Sequence, residues 1–498
     1  MESLEPAVAE LGGTRTAPRH SARRAGRSPA RVPIAEDFPG GPERHRIFPS
    51  VAALVIFVCT GVLAPLYLGY LHISHSPQFS PIDEINHYDY VTRLAAGGFP
   101  RLGQDIQPAS IEQLQCHGLH LVGANFPPCH APFTAADRAG YAATITQYEA
   151  QQPPTYYALT VPIRWVDIHL LGFSDLTATR AVGLVWLVAG LFALWAACRV
   201  LGVPPPWIGA GLLLISTSPV VLDSATIVSN DAGGVLAGSL VLLAGALAWR
   251  RPWRLMWVTL FVLGLVVTTF KTVDVLPVMA VAALFGILEI RRAAHDAEWR
   301  PATHVRRWLA TGGALAGGGL VATFGWLVAS HDLATVDPRS IPTWQVLRSH
   351  ANGFTDVLHE AVTLLAPMSN SFGGVYPAGT AGTVHSARWL NLEYLLADLL
   401  TALVLAAALS GLFASPRSWY HWAGIVAVPT LYLGGVALGY SVHVAYDVDP
   451  ALTGRYGLAM VPLLVLVLVT AARGRWVRAG IWVFGVVSVG ATVATIVT

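Results

Sequence analysis

Residues 455–472 read RYGLAMVPLLVLVLVTAA, and this run has the length and composition of a membrane-spanning helix. Its only charged residue is Arg455, at the start. A helix rises about 1.5 Å per residue, so a run of about 17 residues or more can cross a hydrocarbon core roughly 30 Å thick. Similar runs occur at 48–70, 178–199, 207–224, 231–249, 254–270, 272–290, 308–330, 389–413, 419–440 and 478–497. The sequence therefore predicts an all-α polytopic membrane protein with about eleven spans.

The composition of the whole chain agrees with this interpretation. Of 498 residues, 54% are hydrophobic and 12% are charged, and the mean hydropathy is +0.54. Soluble proteins carry about 25% charged residues, and so much apolar surface needs lipid to cover it. These figures exclude a disordered chain, a coiled coil and a disulfide-stapled secreted module, and they disfavour a soluble multidomain enzyme. The formal net charge of +2 says little about nucleic acid; we expect the lipid bilayer, and no nucleic acid, as a partner.

The placement of arginine predicts the orientation of the spans, because cytoplasmic loops carry an excess of Lys and Arg. Short connections with arginine occur at 250–254, 291–307, 417 and 473–478. If all of them face the cytoplasm, the chain is a multi-pass plasma-membrane protein with a cytoplasmic N-terminus. Residues 1–47 are then a disordered basic tail, and residues 48–498 form the membrane domain. The extracytoplasmic segments include two large loops, 71–155 with an acidic motif and 331–388.

Residues 155–173, TYYALTVPIRWVDIHLLGF, are apolar enough to resemble a further span. Counting them as a span would invert every later loop and place the arginine clusters outside. The segment also contains Pro162, Arg164, Asp167 and His169. Charged or irregular segments occur at membrane depth where they line a protein cavity. We therefore predict a re-entrant or interfacial helix here, in addition to the eleven spans.

The four cysteines divide by location. Cys59 and Cys198 lie in apolar runs and are expected to be packing residues. Cys116 and Cys129 lie in the first outer loop, where an oxidising compartment would allow a disulfide between them. The spacing of the cysteines indicates no zinc site.

The first outer loop contains PIDEINHYDYVTRLAAGGFPRLGQDI at 81–106, in which Asp83 and Glu84 are adjacent. The apolar residues after Glu84 recur with helical period, so the acidic pair lies near a helix N-terminus. A carboxylate there can accept a proton from an incoming hydroxyl or hold a metal ion. Alternatively, the two acids only complement the helix dipole.

Two further segments bring polar groups to the same predicted side. Residues 149–157 read EAQQPPTYY, and Tyr156 and Tyr157 suit either a sugar-stacking wall or an aromatic belt at the membrane interface. Residues 229–231 read Ser-Asn-Asp at the outer end of a span, so Asp231 is a second acid on the same predicted side as Asp83. The alternative is that Ser229 or Asn230 only caps a helix.

Two cations also lie at the predicted outer side. Lys271, the only lysine of the chain, lies between two apolar runs with Asp274 nearby. Arg455 begins a span with Tyr456 beside it. Both cations suit an anionic group such as phosphate, for which the Arg fork of donors is well shaped. Alternatively, Lys271 extends to lipid headgroups and Arg455 is an interfacial anchor.

The order of these motifs resembles the integral-membrane glycosyltransferases of the GT-C fold. The resemblance covers residues 48–475 and consists of D-E-x-x-H-Y-D-Y-V in the first loop, Q-P-P-x-Y-Y, N-D, a membrane-edge Lys and G-R-Y at a late span. The chain is most similar to the bacterial branch related to protein mannosyltransferases and lipid A aminoarabinosyltransferases, with an actinobacterial membrane family among them.

The resemblance implies a GT-C-like helical bundle and an inverting transfer of a sugar from a polyprenyl-phosphate donor in the cell envelope. The acceptor would be a glycan, a lipid or a protein. Asp83, with Glu84 beside it, would be the general base, and Lys271, Arg455 and Tyr456 would bind the donor phosphate. The substrate cavity would be lined by His87, Gln152, Tyr156, Tyr157, Asn230 and Asp231.

The chain departs from this pattern at one position. Relatives often carry His or Lys ahead of the Pro-Pro pair, where this chain has Gln151 and Gln152, and neither side chain carries charge. A divalent cation serves some GT-C enzymes and not others, and either is compatible with this sequence. Two alternatives from other classes stay open, a transporter or flippase of lipid-linked sugars and a catalytically degenerate membrane scaffold.

Overall fold

The computed structural model describes residues 47–81, 83–119, 126–250, 254–295, 301–342, 354–369, 384–413, 419–446, 452–472 and 474–497. The predicted basic tail lies outside these residues except for Ile47. Parts of the predicted second outer loop, 343–353 and 370–383, also lie outside them.

The described chain is helical throughout, as predicted. The first half contains α1 (Val51–His75, with a π-helical turn at Val58–Leu63), α2 (Glu84–Ala95), α3 (Pro108–His117), α4 (Ala135–Gly140), α5 (Ala142–Ile145), α6 (Thr155–His169), α7 (Asp175–Val200), α8 (Pro205–Ser216), α9 (Pro219–Thr226) and α10 (Gly234–Arg250). The second half contains α11 (Met256–Thr268), α12 (Val275–His295), α13 (Pro301–Asp332), α14 (Phe354–Glu360), α15 (Val384–Ser410), α16 (Trp419–Tyr446), α17 (Val461–Ala471) and α18 (Arg475–Val497).

Short 3₁₀ turns lead into several of these helices and carry much of the polar chemistry. They are Glu149–Gln151 before α6, Asn230–Gly233 before α10, Thr272–Asp274 before α12 and Gly454–Met460 before α17. Such turns tighten a helix start and place consecutive side chains differently from an α-helical turn.

The protein is a multi-span membrane protein. Within the described ranges, nine helices are long and apolar enough to cross a bilayer, and they are α1, α7, α10, α12, α13, α15, α16, α17 and α18 with their leading turns. The pair α8 and α9 would make a tenth span, but it is bent by 66° at the break between Ser216 and Pro219. The predicted span at 207–224 is therefore broken rather than continuous.

The predicted span at 254–270 forms the shorter helix α11, which has 13 residues and a length of about 20 Å. It packs closely on α13 because glycines face each other across the contact. A Cβ on Gly264 would lie 2.2 Å from the Leu315 carbonyl oxygen, and one on Gly318 would lie 1.9 Å from that of Phe261. Small residues at helix contacts are typical of membrane bundles. The predicted count of eleven spans becomes nine or ten, with α11 as a packed half-length helix.

The segment predicted as re-entrant or interfacial forms α6, which has 15 residues and contains Pro162. The helix is shorter than the spanning helices and packs on α2 and α7. The side chain of Arg164 donates from Nε to Asp175 at the start of α7, at 2.7 Å. The chain between α1 and α6 thus forms a folded cap on the bundle, and its interfacial placement stays a prediction.

The cap contains a disulfide and shares an apolar core with the adjoining ends of the bundle helices. Phe79, Ile85, Tyr90 and Leu114 are buried together in it. The disulfide joins Cys116 in α3 to Cys129, while Cys59 and Cys198 are free cysteines in α1 and α7. This cap brings the acidic motif over the ends of the bundle helices.

Candidate active site

Asp83 lies directly before α2 in an unusual backbone conformation. Its φ is 58°, in the left-handed region that few residues other than glycine adopt. The side chain does not cap the helix that follows. Instead it accepts a hydrogen bond from the Tyr148 hydroxyl and one from Arg455 Nη2 at 2.7 Å. A strained backbone of this kind is characteristic of functional sites, and here it directs the carboxylate away from α2 and into a polar cluster.

Glu84 points in a different direction and has a different environment. Its carboxylate is fully buried and receives the Arg180 guanidinium through two bonds of 2.7 and 2.8 Å. The backbone N–H groups of Ser80 and Val228 donate to the same two oxygens, at 2.7 and 2.9 Å. With two donors on each oxygen, Glu84 joins the cap to α7 and to the chain before α10. The two adjacent acids therefore have different surroundings. Asp83 points into the polar cluster, and Glu84 forms a buried ion pair in which both oxygens have two donors.

Arg455 joins Asp83 to the second predicted acid. Its Nη1 lies 3.6 Å from Asp231 Oδ2, while Nη2 donates to Asp83. Lys271 Nζ donates to the other Asp231 oxygen. The ring of Tyr456 lies beside both cations, 4.5 Å from Lys271 Nζ and 5.4 Å from the Arg455 guanidinium carbon. We call Asp83, Asp231, Lys271 and Arg455 the charged cluster.

Local structure explains why these four side chains meet. Asp231 lies in the turn before α10, where Ser229 caps the turn and also donates to the Asp231 carboxylate at 3.1 Å. Lys271 directly precedes the turn before α12, and Arg455 lies in the turn before α17. The turn before α17 comes close to α10 because Gly238 has no side chain, and a Cβ there would lie 1.8 Å from the Ala459 carbonyl oxygen. Three helix starts therefore converge under the cap.

Sequence reasoning missed two cap residues that lie against the charged cluster. Tyr148 donates its hydroxyl hydrogen to Asp83. Glu149 is buried, with one carboxylate oxygen 3.8 Å from His87 Nδ1. The sequence does contain a signal that points to Glu149, since this residue is the only charged one in EAQQPPTYY.

The predicted cavity residues form an aromatic and amide wall beside the cluster. His87 Nδ1 lies 2.8 Å from the Tyr157 hydroxyl, and the Tyr157 ring stacks on Tyr90 with centroids 3.8 Å apart. Tyr156 is fully buried and packs edge-on against Tyr157. The carbonyl of Gln152 accepts from the Tyr90 hydroxyl at 3.1 Å.

Two side-chain amides in this region have buried atoms without hydrogen-bond partners among the described residues. Both polar atoms of the Asn230 amide are buried without a partner, and so is Oε1 of Gln152. Buried polar groups in folded proteins are nearly always hydrogen-bonded, so each exception calls for an explanation. A ligand with hydroxyl groups would satisfy these amides.

The ionisation of the cap residues follows from burial and neighbouring charge. Burial raises the pKa of the Asp83 carboxyl, but the Arg455 charge and the hydrogen bonds from Tyr148 and Arg455 outweigh burial and hold the pKa below its usual value. Burial, reinforced by the Asp83 charge, raises the pKa of Glu149 to about 8. Burial lowers the pKa of His87 to about 3. At neutral pH, Asp83 is therefore ionised, Glu149 is mostly protonated and His87 is neutral.

Asp83, His87 and Glu149 are the residues that could hold a divalent cation. One ligand atom from each lies within 4.8 Å of the others. The donor set of one nitrogen and two oxygens suits ions such as Zn²⁺ or Mn²⁺. With Glu149 protonated, however, the charges of Lys271 and Arg455 already balance those of Asp83 and Asp231. The cluster therefore needs no metal for charge balance.

A comparison of the chain with known protein families, curated proteins and solved structures gives no match. What the chain establishes by itself is a polytopic, all-α membrane protein with a charged cluster at one end of its helical bundle.

Proposed function

We propose that the protein is an inverting glycosyltransferase that moves a sugar from a polyprenyl-phosphate donor to an acceptor hydroxyl. The observation that carries the proposal is the bridge from Asp83 through Arg455 to Asp231 and Lys271. It joins an ionised carboxylate, suited to accept a proton, with two cations suited to a phosphate leaving group. The resemblance of the motifs to GT-C glycosyltransferases supports the same function.

The chemistry requires a base for the acceptor hydroxyl and stabilisation of the phosphate that leaves the donor. The acceptor oxygen bonds to the anomeric carbon while the bond from that carbon to the phosphate oxygen breaks. The bonding electron pair leaves with the polyprenyl phosphate, where Arg455 and Lys271 stabilise the charge. The acceptor proton passes to Asp83. Tyr456, beside both cations, would orient them towards the phosphate.

The ion pair between Arg455 and Asp83 couples donor binding to base activation. While Arg455 donates to Asp83, the carboxylate is a weak base because its pKa is held low. A donor phosphate that draws Arg455 away removes this influence, and the pKa of Asp83 rises. The base thus gains strength when the donor is bound, which matches base strength to the catalytic step.

The distribution of arginine supports a site on the extracytoplasmic side. α10, α12 and α17 begin at the charged cluster, so their C-terminal ends lie at the opposite end of the bundle. Arg250 and Arg291 lie near the ends of α10 and α12, and Arg475 begins α18 directly after α17. By the positive-inside rule that end faces the cytoplasm. A lipid-linked sugar is the form of activated donor that an outward-facing site can use.

The unpartnered amide atoms of Asn230 and Gln152 suit the hydroxyl groups of a sugar. We assign these two residues to the cavity for the transferred sugar, and we assign Tyr157, whose buried ring stacks on Tyr90, to the wall that supports it.

A second candidate function is the transport of lipid-linked sugars. The break of 66° between α8 and α9 favours it, because interrupted helices form the substrate sites of many transporters. The charged cluster favours an enzyme, since it lies at the first residues of the spans, under the cap, rather than in the middle of the spans.

The test is to incubate the purified full-length protein with a panel of radiolabelled polyprenyl-phosphate sugars and an envelope extract that supplies acceptor hydroxyl groups, and to follow release of the lipid phosphate. We expect release with at least one donor, and its loss in Asp83→Asn. The matched control is Asp105→Asn, which changes an exposed aspartate of the same cap that pairs with Arg138. Full activity of Asp83→Asn, or folded wild-type protein that moves lipid-linked sugars across vesicles without cleaving any, would contradict the proposal.

A further inference from the structure

A second polar site lies inside the bundle, apart from the charged cluster. A cavity with a volume of about 10 Å³ opens at the break between α8 and α9. Its polar lining comes from three elements: Thr217 and Ser218 at the break, Glu393 from α15, and Ser488 and Thr492 from α18. All five residues are buried. We call it the Glu393 cavity.

Glu393 is a carboxylate within a membrane-spanning helix, and burying a charge there is costly unless it has a partner. Its Oε1 accepts a hydrogen bond from Thr492 at 3.2 Å. Among the described residues, no Lys or Arg forms an ion pair with it. Asp223 and His72 also lie within electrostatic range of Glu393, and these two side chains pair with each other at 3.1 Å, with Thr226 at 2.8 Å from His72.

The hydroxyl groups of the cavity leave oxygen lone pairs for a cation. Thr217 Oγ1 donates to the Leu213 carbonyl and Ser218 Oγ donates to the Met368 carbonyl, both at 3.0 Å. A hydroxyl that donates its hydrogen to a carbonyl keeps its lone pairs as acceptors. Together with Glu393, the lining therefore offers an all-oxygen donor set, which is the set that hard cations prefer.

The break brings the carbonyl end of α8 and the N–H end of α9 to the same point, so their helix dipoles partly offset each other. α8 ends at Ser216, so the partial negative charge of its C-terminal end lies next to Thr217 and Ser218. Interrupted helices use such ends to coordinate small cations within membranes. The cavity volume is close to the space that one water molecule needs, roughly 10–15 Å³, so a dehydrated Na⁺ ion, which is smaller than water, fits within it.

From the single carboxylate, the oxygen lining and the volume, we propose that the Glu393 cavity binds one Na⁺ ion. One negative charge balances one monovalent cation. The ion would hold together α15, α18 and the break between α8 and α9, which are separate in sequence. This site does not depend on the proposed glycosyl transfer.

The experiment measures thermal unfolding of the full-length protein in lipid nanodiscs, with NaCl replaced by KCl or choline chloride at constant ionic strength. Binding to the folded state raises the melting temperature in a saturable way. We expect a rise with Na⁺ that choline does not produce. Direct binding of ²²Na⁺ provides a second readout that does not require unfolding.

Three variants test the residues. Glu393→Gln removes the charge and should abolish the Na⁺-dependent rise, and Thr492→Val should weaken Na⁺ binding about fivefold, the equivalent of one oxygen contact. Thr470→Val is the matched control, because its hydroxyl bonds only within α17. If Glu393→Gln does not fold, Thr492→Val and Ser488→Ala still test the site.

Three results would overturn the proposal. The first is equal stabilisation by Na⁺ and choline. The second is a Na⁺ response that Glu393→Gln or Thr492→Val leaves unchanged. The third is a higher melting temperature for Glu393→Gln than for the wild type at every Na⁺ concentration, together with no ²²Na⁺ binding to the wild type. This result would mean that Glu393 holds a proton in place of Na⁺.

Discussion

Replacing Arg455 by Gln tests the coupling between the cation and the base. Arg455 Nη2 lies 2.7 Å from Asp83 Oδ2, and the Asp83 side chain is only 24% exposed. Unit charges about 4 Å apart interact by about 4 kcal/mol at an effective dielectric constant near 20. Losing Arg455 should therefore raise the pKa of Asp83, because the Arg455 charge is the largest influence that holds this pKa down.

The assay is the dependence of kcat/KM for the donor on pH, because kcat/KM reports the ionisation of the free enzyme. Asp83 must be ionised to act as a base, so activity falls on the acidic side as Asp83 takes up a proton. In Arg455→Gln this acidic limb should move to higher pH. Arg455→Lys, which keeps the charge but loses the fork, should give an intermediate profile.

The same substitution should also weaken donor binding. A hydrogen bond between charged groups contributes about 1.5–3 kcal/mol, which corresponds to about 10- to 150-fold in KM. Arg138→Gln is the control, since Arg138 pairs with the exposed Asp105 away from the cluster. An active Arg455→Gln variant whose acidic limb coincides with that of the wild type would refute the coupling.

Three other predictions concern the residues around the base. Glu149→Gln mimics the protonated acid, so activity at neutral pH should change less than about threefold, because Glu149 is mostly protonated there. The pKa of Glu149 is about 8 in the folded state against an ordinary 4.5, so the folded state holds a proton that the unfolded state releases, and the wild type loses stability as pH rises between these values. The Tm of Glu149→Gln relative to the wild type should therefore increase over that range. A Tm difference that does not change with pH would contradict this prediction. Glu84→Gln leaves the Arg180 charge buried without its partner and should cost about 3–5 kcal/mol of stability, measured as a lower denaturation midpoint; an unchanged midpoint with a selective loss of kcat would instead place Glu84 in catalysis. Chelation by EDTA should change activity by less than about twofold, because Lys271 and Arg455 already balance the charges of Asp83 and Asp231. Complete loss of activity that Mn²⁺ restores would instead identify Asp83, His87 and Glu149 as metal ligands.

Hydropathy predicted the spanning helices because burial in lipid requires a long apolar run, which a single sequence displays directly. It did not distinguish the break in 207–224, since Thr217 and Ser218 are small and Pro219 also fits a helix start. The shorter α11 was also read as a full span. Its glycine contacts with α13 depend on facing residues of another helix, and no pattern within one helix shows them.

The polar residues were predictable by type, and the sequence placed them at one end of the bundle, but their pairings were not predictable. Asp83 and Glu84 are neighbours in sequence, and the separation of their roles depends on Arg180 and Arg455, which lie far along the chain. Tyr148 and Glu149 reach the cluster through an irregular cap, where no periodicity links sequence position to spatial position. Such contacts between distant segments require the folded structure.

The most direct measurement for the account is equilibrium binding of a radiolabelled polyprenyl-phosphate sugar to Asp83→Asn, with turnover followed in the same sample. If Asp83 competes with the phosphate for Arg455 and then serves as the base, this variant binds the donor at least as tightly as the wild type and releases no lipid phosphate. A variant that turns over, or that no longer binds a donor the wild type binds, contradicts the account.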